Sequence, residues 1–279
     1  PIFADVTGPD DWTLSPQDVA DKITPNTRAI IPMHYAGYPC DMAALQALAD
    51  THDLAVIEDA CHGLGGTVEG RPMGAVGAMG CFSFYSNKVM TTGEGGMLTT
   101  DDDDIAQRIK CLRSHGQTKT AVDRMRGAMG YDITEVGYNY RLDDLRAAVG
   151  LVQVERLAES IRRRRALISH YRSRLDAIEG VVFPRHGERG EPAHYVLPIR
   201  LEGVDRDAVR QAMAASGIQT SMHYPPVHHF RHYLPLGVSL PQTEAITASA
   251  LSLPLYPSLT EGQVALVCDR LEAAIRGAR

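Results

Sequence analysis

The chain has 279 residues, with 28 Lys or Arg against 34 Asp or Glu, and its formal net charge is −6. The 44% hydrophobic and 22% charged fractions are those of a folded protein with a sizeable core, which excludes disordered and fibrous chains. A mildly acidic chain without a long apolar run favours neither nucleic acid nor a membrane as partner. Its five widely spaced cysteines lack a C-x-x-C pair, and they predict small buried residues in a reducing cytoplasm.

Strands and helices alternate in the first half of the chain. The apolar patterns predict strands at Pro1–Val6, Arg28–Met33, Leu54–Ile57, Met79–Phe84 and Met97–Thr100, and helices at Met42–Ala49 (with Asp41 as N-cap) and Asp104–Leu112. Such alternation is typical of an α/β fold with a mostly parallel sheet covered on both faces. Ligands of these sheets bind at the carboxyl ends of the strands, where Asp59 is expected.

The second half has a different character. One helical stretch is predicted from about residue 142 to 175, followed by a loop at His186–Pro192. A smaller α+β unit follows, with strands at His194–Leu201 and Ile218–Tyr224, a helix at Asp205–Ala215, and a last helix that begins near Thr260 with Gln263 in a capping box. We expect a large domain over residues 1–160, and a connecting helix with a small C-terminal domain over residues 161–279.

Two sequence features have simple explanations. Gly63, Gly65 and Gly66 resemble a dinucleotide-binding loop, but Val68 stands where G-x-G-x-x-G needs its last glycine, which disfavours an NAD enzyme. The arginine run Arg162–Arg165 lies in a helical stretch without interleaved aromatic residues. It therefore predicts a solvated or interfacial helix face rather than a nucleic-acid site.

Four histidines cluster late in the chain, at positions 223, 228, 229 and 232. No carboxylate or thiol falls at ligand spacing among them, so the sequence predicts no metal site. Because Tyr224 and Tyr233 are close to these histidines in the sequence, we favour the interpretation that the segment forms a polar wall for a substrate.

A lysine stands out in this chain. Lys88 follows a predicted strand and precedes the glycine-rich loop Thr91–Gly96. Apolar surroundings would lower its pKa and make its amine nucleophilic. Asp59 ends another strand 29 residues earlier. Such a pair is either a buried ion pair or part of a pyridoxal phosphate site, with the lysine as Schiff base and the aspartate on the pyridinium nitrogen. The spacing alone leaves both interpretations open.

Eight short strings occur in order along nearly the whole chain: Phe3–Val6, Ala29–Gly37, Ile57–His62, Phe82–Lys88, Gly93–Gly96, Gly137–Arg141, His223–Pro226 and Leu253–Pro257. Together they resemble the DegT/DnrJ/EryC1/StrS family of PLP-dependent sugar aminotransferases. The resemblance implies the type-I aminotransferase fold, with pyridoxal 5'-phosphate as cofactor.

The resemblance also assigns roles to residues around that cofactor. It implies that Lys88 forms the Schiff base and moves the proton during transfer, and that Asp59 keeps the pyridine nitrogen protonated. It places His62 on the ring oxygen of the cofactor and Ser83 on its phosphate. Because dehydratase relatives carry histidine in place of the lysine, Lys88 indicates transamination.

Further implied contacts concern the partner subunit and the substrate. Asn139 matches the residue that reaches the phosphate from the partner subunit, which implies a homodimer with a shared active site. The aromatic and polar pairs His34-Tyr35 and His223-Tyr224 are expected to face the sugar.

The implied activity transfers an amino group from glutamate, or glutamine, to a keto group of a nucleotide-linked sugar, which makes an amino sugar for polysaccharide or antibiotic biosynthesis. Family members are longer at the N-terminus, where a Ser-Gly-Thr turn holds the phosphate and an aromatic residue stacks on the cofactor ring. We therefore expect the N-terminal part of the large domain to be missing and PLP to be weakly retained. The alternative is a truncated, non-catalytic member that acts as an assembly module.

Overall fold

The structure is a computed structural model that describes residues 1–119, 121–185 and 187–279. Its helices are α1 (Pro16–Lys22), α2 (Met42–His52), α3 (Asp103–Leu112), α4 (Ala121–Met125), α5 (Asp144–Leu175), α6 (Arg206–Ala215), α7 (Pro241–Ser249) and α8 (Glu261–Ala278). Its strands are β1 (Ala29–Ile30), β2 (Ala55–Asp59), β3 (Thr67–Val68), β4 (Arg71–Pro72), β5 (Met79–Ser83), β6 (Gly96–Thr99), β7 (Val181–Val182), β8 (Leu197–Leu201) and β9 (Ala250–Leu253). Within the described ranges, no helix is both long and apolar enough to cross a membrane.

The first sheet has four strands in the order β1-β2-β5-β6. Strands β1, β2 and β5 run parallel, whereas β6 pairs antiparallel with β5 at the edge. Asp59 lies opposite Cys81 in the register of β2 and β5. Because β2 and β5 are parallel, their carboxyl ends meet at one edge of the sheet, as the alternating pattern predicts.

A second sheet, of order β7-β8-β9, is antiparallel throughout. Helices α5, α6 and α8 supply apolar side chains to the same core as this sheet, and that core includes the fully buried residues Tyr171, Leu197, Ile199, Met213, Leu251 and Leu271. Burial of such side chains stabilises by about 1.5–3 kcal/mol each. This cluster is therefore sufficient to hold the C-terminal elements together.

Helix starts follow the sequence closely. The Asp41 carboxylate caps α2 by accepting a hydrogen bond from the backbone N–H of Ala44 at 3.1 Å. At α8, Thr260 and Gln263 form the predicted capping box in both directions. Short polar side chains at these positions satisfy backbone groups that the helix leaves unpaired.

Two strand predictions are wrong. Ile218–Tyr224 contributes only the bridge between Ser221 and Ser252, and Pro1–Val6 contributes only the bridge between Val6 and Leu14. The prolines that follow Tyr224 have no backbone N–H to donate, which prevents the ladder from continuing. Of the predicted loop at 186–192, residues 187–192 lack helix and strand, and His186 lies outside the described residues.

Within the predicted solvated or interfacial arginine run of α5, Arg164 is the buried residue. Arg164 is 5% exposed, and its Nη1 donates to the carbonyl oxygens of His194 (3.1 Å), Tyr195 (3.0 Å) and Leu255 (3.3 Å). Consecutive helical residues point about 100° apart, so a run of four cannot share one face. Burial lowers the pKa of Arg164 to about 10. This arginine fastens α5 to the segment that leads into β8.

Candidate active site

The ends of β2 and β5 hold the predicted catalytic pair. Asp59 ends β2, and its Oδ1 accepts a hydrogen bond from the backbone N–H of Cys61 at 3.0 Å. Lys88 lies in the loop after β5, where its backbone N–H donates to the carbonyl of Tyr85 at 3.0 Å. The side chains are close enough that Asp59 acts electrostatically on the pKa of Lys88. The fold thus brings together two residues that are 29 positions apart.

Lys88 is half-buried against an aromatic ring. Its Nζ lies 4.5 Å from the ring centroid of Tyr195. Burial lowers the pKa of Lys88, while the Cys61 and Asp59 side chains act in the opposite direction. Among the described residues, no carboxylate lies within ion-pair distance of this amine. The lysine is therefore desolvated without being neutralised, which favours a nucleophilic amine over a structural ion pair.

His62 lies beside Lys88 and Tyr195, and both of its ring nitrogens have partners within the chain. Its ring stacks on Tyr195 at 4.2 Å between centroids. The backbone N–H of Ala36 donates to Nδ1 at 3.2 Å, so the proton is on Nε2, which lies 3.3 Å from the Tyr224 hydroxyl. Burial lowers the pKa of His62 to about 3, and the charge of Lys88 adds to this. His62 is consequently a neutral imidazole.

Tyr195 is a residue of this site that the sequence analysis did not single out. It precedes β8 and carries no local motif, and the sequence places it only as one residue of a predicted strand. Gly37 brings it into the site, because the backbone N–H groups of Ala193 and Tyr195 donate to the carbonyls of Gly37 (2.9 Å) and Ala36 (3.0 Å). A Cβ on Gly37 would lie 2.8 Å from backbone atoms of His62 and His194, and its φ is +88°. Only glycine permits this close approach.

Replacement of Tyr195 by leucine is expected to lower the pKa of Lys88 further, whereas replacement by phenylalanine leaves it close to that of the parent. A ring face stabilises a nearby ammonium by about 0.5–2 kcal/mol, and phenylalanine retains that face. The measurement is an NMR pH titration of the cofactor-free protein after reductive ¹³C-methylation of its four lysines. Lys88→Ala assigns the resonance. Identical titration of the leucine variant and the parent would refute the ring's role.

Three of the four predicted substrate residues lie beside His62. The Tyr35 hydroxyl donates to the carbonyl of His223, and His223 Nδ1 lies 2.9 Å from Ser252 Oγ. Tyr35, His223 and Tyr224 also line an apolar cavity of about 280 Å³. Burial lowers the pKa of His223, and the charge of Lys88 lowers it further. These residues form a mixed aromatic and polar wall next to the lysine.

The fourth, His34, is a structural residue instead of a substrate contact. It is fully buried, and the backbone N–H of Cys40 donates to its Nδ1 at 3.1 Å. Its Nε2 therefore carries the proton and donates to Glu58 Oε2 at 2.9 Å. Both ring nitrogens are used within the chain, and no surface is left for a substrate. The adjacent Tyr35, by contrast, contacts His223 and lies beside His62.

The two predicted phosphate contacts lie apart. Ser83 ends β5, and its partly exposed hydroxyl accepts a hydrogen bond from the backbone N–H of Tyr85 at 3.3 Å. Asn139 is exposed, and its Oδ1 accepts from Arg141 Nε at 3.1 Å. Within the described part of this single chain, no contact joins Asn139 to Lys88 or Asp59.

The cysteines correct a smaller prediction. Cys40, Cys111 and Cys268 are buried as expected, but Cys61 and Cys81 are only partly buried and lie next to Asp59. Burial and the Asp59 carboxylate raise the pKa of Cys61 to about 12. This thiol stays protonated and does not compete with Lys88 as a nucleophile.

The model of the DegT/DnrJ/EryC1/StrS aminotransferase family matches residues 1–272. The chain belongs to this family. It is 35% identical over 291 residues to the spore coat polysaccharide biosynthesis protein SpsC of Bacillus subtilis, covering 100% of this chain and 74% of SpsC. This chain is therefore related along its whole length to a protein named for polysaccharide synthesis.

Solved structures agree with the family match. The protein Spr1654 of Streptococcus pneumoniae, designated a sugar aminotransferase, superposes in its PMP form with a TM-score of 0.92 at 27% identity, over 99% of this chain and 76% of that one. Its PLP form has also been solved. DesI, solved with its TDP-sugar product, gives a TM-score of 0.87 at 32% identity, over 99% of this chain and 70% of that one. The fold is accordingly that of the PLP-dependent sugar aminotransferases.

The residues of this site fit pyridoxal phosphate. Lys88 offers a desolvated amine, and Asp59 keeps one carboxylate oxygen beyond the one bonded to Cys61. The stacked rings of His62 and Tyr195 border the same space. An amine, a carboxylate and an aromatic border are the groups that this cofactor requires.

Proposed function

We propose that this chain transfers an amino group from glutamate, or glutamine, to a keto group of a nucleotide-linked sugar. The product is an amino sugar for polysaccharide or antibiotic biosynthesis. The observation that carries the proposal is the placement of a desolvated Lys88 and of Asp59 at the adjoining ends of β2 and β5. Pyridoxal phosphate, when bound, supplies an electrophilic carbon for the amino group and an electron-withdrawing ring.

Each residue has a defined role in this proposal. Lys88 would be the covalent attachment point of the cofactor, and its amine would move a proton at the carbon that carries the amino group. Asp59 holds the proton on the ring nitrogen, where a carboxylate stabilises the positive charge. Ser83 donates its hydroxyl to the phosphate. His62, whose Nε2 lies 3.3 Å from the Tyr224 hydroxyl, would donate its Nε2–H to the ring oxygen.

The substrate assignment draws on two further observations. SpsC is named for polysaccharide biosynthesis, and DesI was solved with a TDP-sugar product. In this chain Tyr35, His223 and Tyr224 provide hydroxyl and imidazole groups beside the lysine. Such groups hydrogen-bond sugar hydroxyls, and their rings pack against the sugar faces.

The test is transfer of ¹⁵N. The purified chain with PLP and ¹⁵N-glutamate is offered a panel of keto-sugar nucleotides, and mass spectrometry follows the label. Label in the nucleotide-sugar supports the proposal, and ¹⁵N-glutamine in place of glutamate identifies the donor. Two negative results together would support the assembly-module alternative. One is the absence of label from every panel member, and the other is a chain to which borohydride attaches no cofactor.

We also propose that two copies of the chain share their active sites. Four large apolar side chains between residues 136 and 151 are 70–90% exposed: Val136, Tyr140, Leu145 and Leu151. Asn139 lies within this surface. Exposed apolar surface of this kind marks protein interfaces, and a two-fold dimer would bring Asn139 of one copy to the phosphate site of the other.

Mixing two impaired variants tests this shared site. Lys88→Ala and Asn139→Ala chains, refolded together, are expected to recover activity, because each mixed dimer contains one site with both native residues. Random pairing leaves about a quarter of all sites intact. No recovery in the mixture, with light scattering showing dimers, would place Asn139 outside the partner's site.

Two coarser features complete the proposal. We place the boundary between the large domain (1–160) and the connecting helix with the small domain (161–279) inside α5. The separate apolar clusters of residues 19–73 and 167–275 support this division. The free thiols of all five cysteines support a reducing, cytoplasmic compartment.

A further inference from the structure

A second group of chemically active side chains lies outside the lysine site. His228 and His229 end a short 3₁₀ turn (Val227–His229), and Glu244 lies on α7. Their ligand atoms all lie within 4.8 Å of one another. The sequence pattern offered these histidines no acidic ligand. The fold supplies one, because α7 packs beside the turn.

Four potential donors surround one oxygen of Glu244. His228 Nε2 lies 3.0 Å and His229 Nε2 lies 3.7 Å from Oε1. The same oxygen accepts from the backbone N–H of Leu240 at 2.9 Å and lies 3.5 Å from the hydroxyl of Ser239. A carboxylate oxygen has about two lone pairs for such contacts. In the described part of the chain, no donor is bonded to the second oxygen.

A metal ion would resolve this crowding. Each imidazole would then offer the Nε2 lone pair instead of competing for Oε1, and the second carboxylate oxygen is open to bind. Two histidines and one glutamate form a ligand set typical of zinc, and imidazole also suits nickel and copper. We propose that His228, His229 and Glu244 bind a divalent transition-metal ion of the zinc class.

The local geometry can accommodate such an ion. Tetrahedral zinc with bonds of about 2.0–2.1 Å places its ligand atoms about 3.3 Å apart. His228 is buried and already 3.0 Å from the carboxylate, whereas the half-exposed His229, at 3.7 Å, is free on its solvent side to move closer. The exposed side of the site leaves the fourth position to water. The backbone N–H of Leu240 donates to the glutamate, and hydrogen bonds of this kind orient the ligands of metal sites.

The ion would act as a clamp on the substrate wall. Turn Val227–His229 directly follows the segment that carries His223 and Tyr224, and Tyr224 contacts His62. Helix α7 contributes Ile246 to the cluster around Trp12, and Trp12 in turn faces Tyr35. Joining this turn to α7 therefore fixes both ends of the wall. The proposal stands independently of the aminotransferase assignment.

Calorimetric titration with Zn²⁺ tests the site. The protein is chelator-treated and carries no histidine tag, and three chains are compared: the parent, His229→Ala and His232→Ala. His232 is the matched control, because it is an exposed histidine of the same segment outside the cluster. Loss of a group that only orients a metal ligand weakens binding by about 10–100-fold, so loss of a ligand itself is expected to weaken binding by at least about 100-fold.

The expected result is one Zn²⁺ per chain for the parent and His232→Ala, and a loss confined to His229→Ala. Removal of His229 leaves the hydrogen bond from His228 to Glu244 in place, so circular dichroism is expected to show an unchanged fold. Co²⁺ in place of Zn²⁺ is expected to give the strong visible absorbance of four-coordinate cobalt, absent in His229→Ala. No binding by the parent overturns the site. The site is also overturned if all three chains bind Zn²⁺ equally, or if both variants lose binding to the same extent.

Discussion

Lys88→Ala is expected to lower the rate of amino transfer by about 10⁴-fold, the upper range for loss of a positioned proton-transfer group. The variant also loses the visible absorbance of the lysine-bound cofactor. The reason is chemical, because the chain loses its covalent attachment point and the amine that moves the proton. Spectra after cofactor addition and single-turnover kinetics with ¹⁵N-glutamate measure the two losses separately.

Lys110→Ala is the matched control for this experiment. The chain has four lysines, and Lys110 is an exposed residue of α3. This variant is expected to retain both absorbance and rate. A small primary amine in solution is expected to restore a part of the rate to Lys88→Ala, because it replaces the missing amino group. Borohydride-fixed cofactor on the Lys88→Ala chain would contradict the assignment of Lys88.

The parts of this site that follow local sequence could be predicted. Asp59 ends a strand, and Lys88 follows one, so their meeting depends only on β2 and β5 being parallel neighbours. The α2 cap and the α8 capping box likewise need only a few consecutive residues. Periodicity and strand-end chemistry carry this information without any long-range contact.

What could not be predicted depends on contacts between distant segments. Tyr195 reaches Lys88 because Gly37 lets two backbones approach, and no spacing in the chain encodes that contact. Glu244 reaches His228 in the same way, through the packing of α7. His34 shows the converse, because a histidine beside a tyrosine suggests a substrate contact, yet only the fold reveals that the buried Glu58 binds it.

Glu58→Gln is expected to destabilise the protein by at least about 2 kcal/mol, because a hydrogen bond to a charged group contributes about 1.5–3 kcal/mol and the substitution disrupts more than one of them. The fully buried carboxylate of Glu58 accepts four hydrogen bonds, from His34 Nε2 (2.9 Å) and from the backbone N–H groups of Gly74 (2.8 Å), Val76 (2.7 Å) and Gly77 (2.7 Å). A glutamine amide would turn its own NH₂ group towards these donors. Urea unfolding measures the loss, and Glu69→Gln, at an exposed turn, is the control that is expected to match the parent.

The same carboxylate makes stability depend on pH. Burial raises the pKa of Glu58, but the hydrogen bonds from His34 and the three backbone N–H groups outweigh it, so the net pKa lies below its ordinary 4.5. The stabilisation is therefore fully present above about pH 4.5 and disappears as the pH falls through the lower pKa of the folded state. The difference in unfolding free energy between the parent and Glu58→Gln is accordingly expected to be constant near neutrality and to shrink on acidification. A difference that stays unchanged down to pH 3 would show that the loss comes from packing rather than from the charge. Because Glu58 adjoins Asp59 on β2, its charge also holds the strand end that carries the carboxylate of the active site.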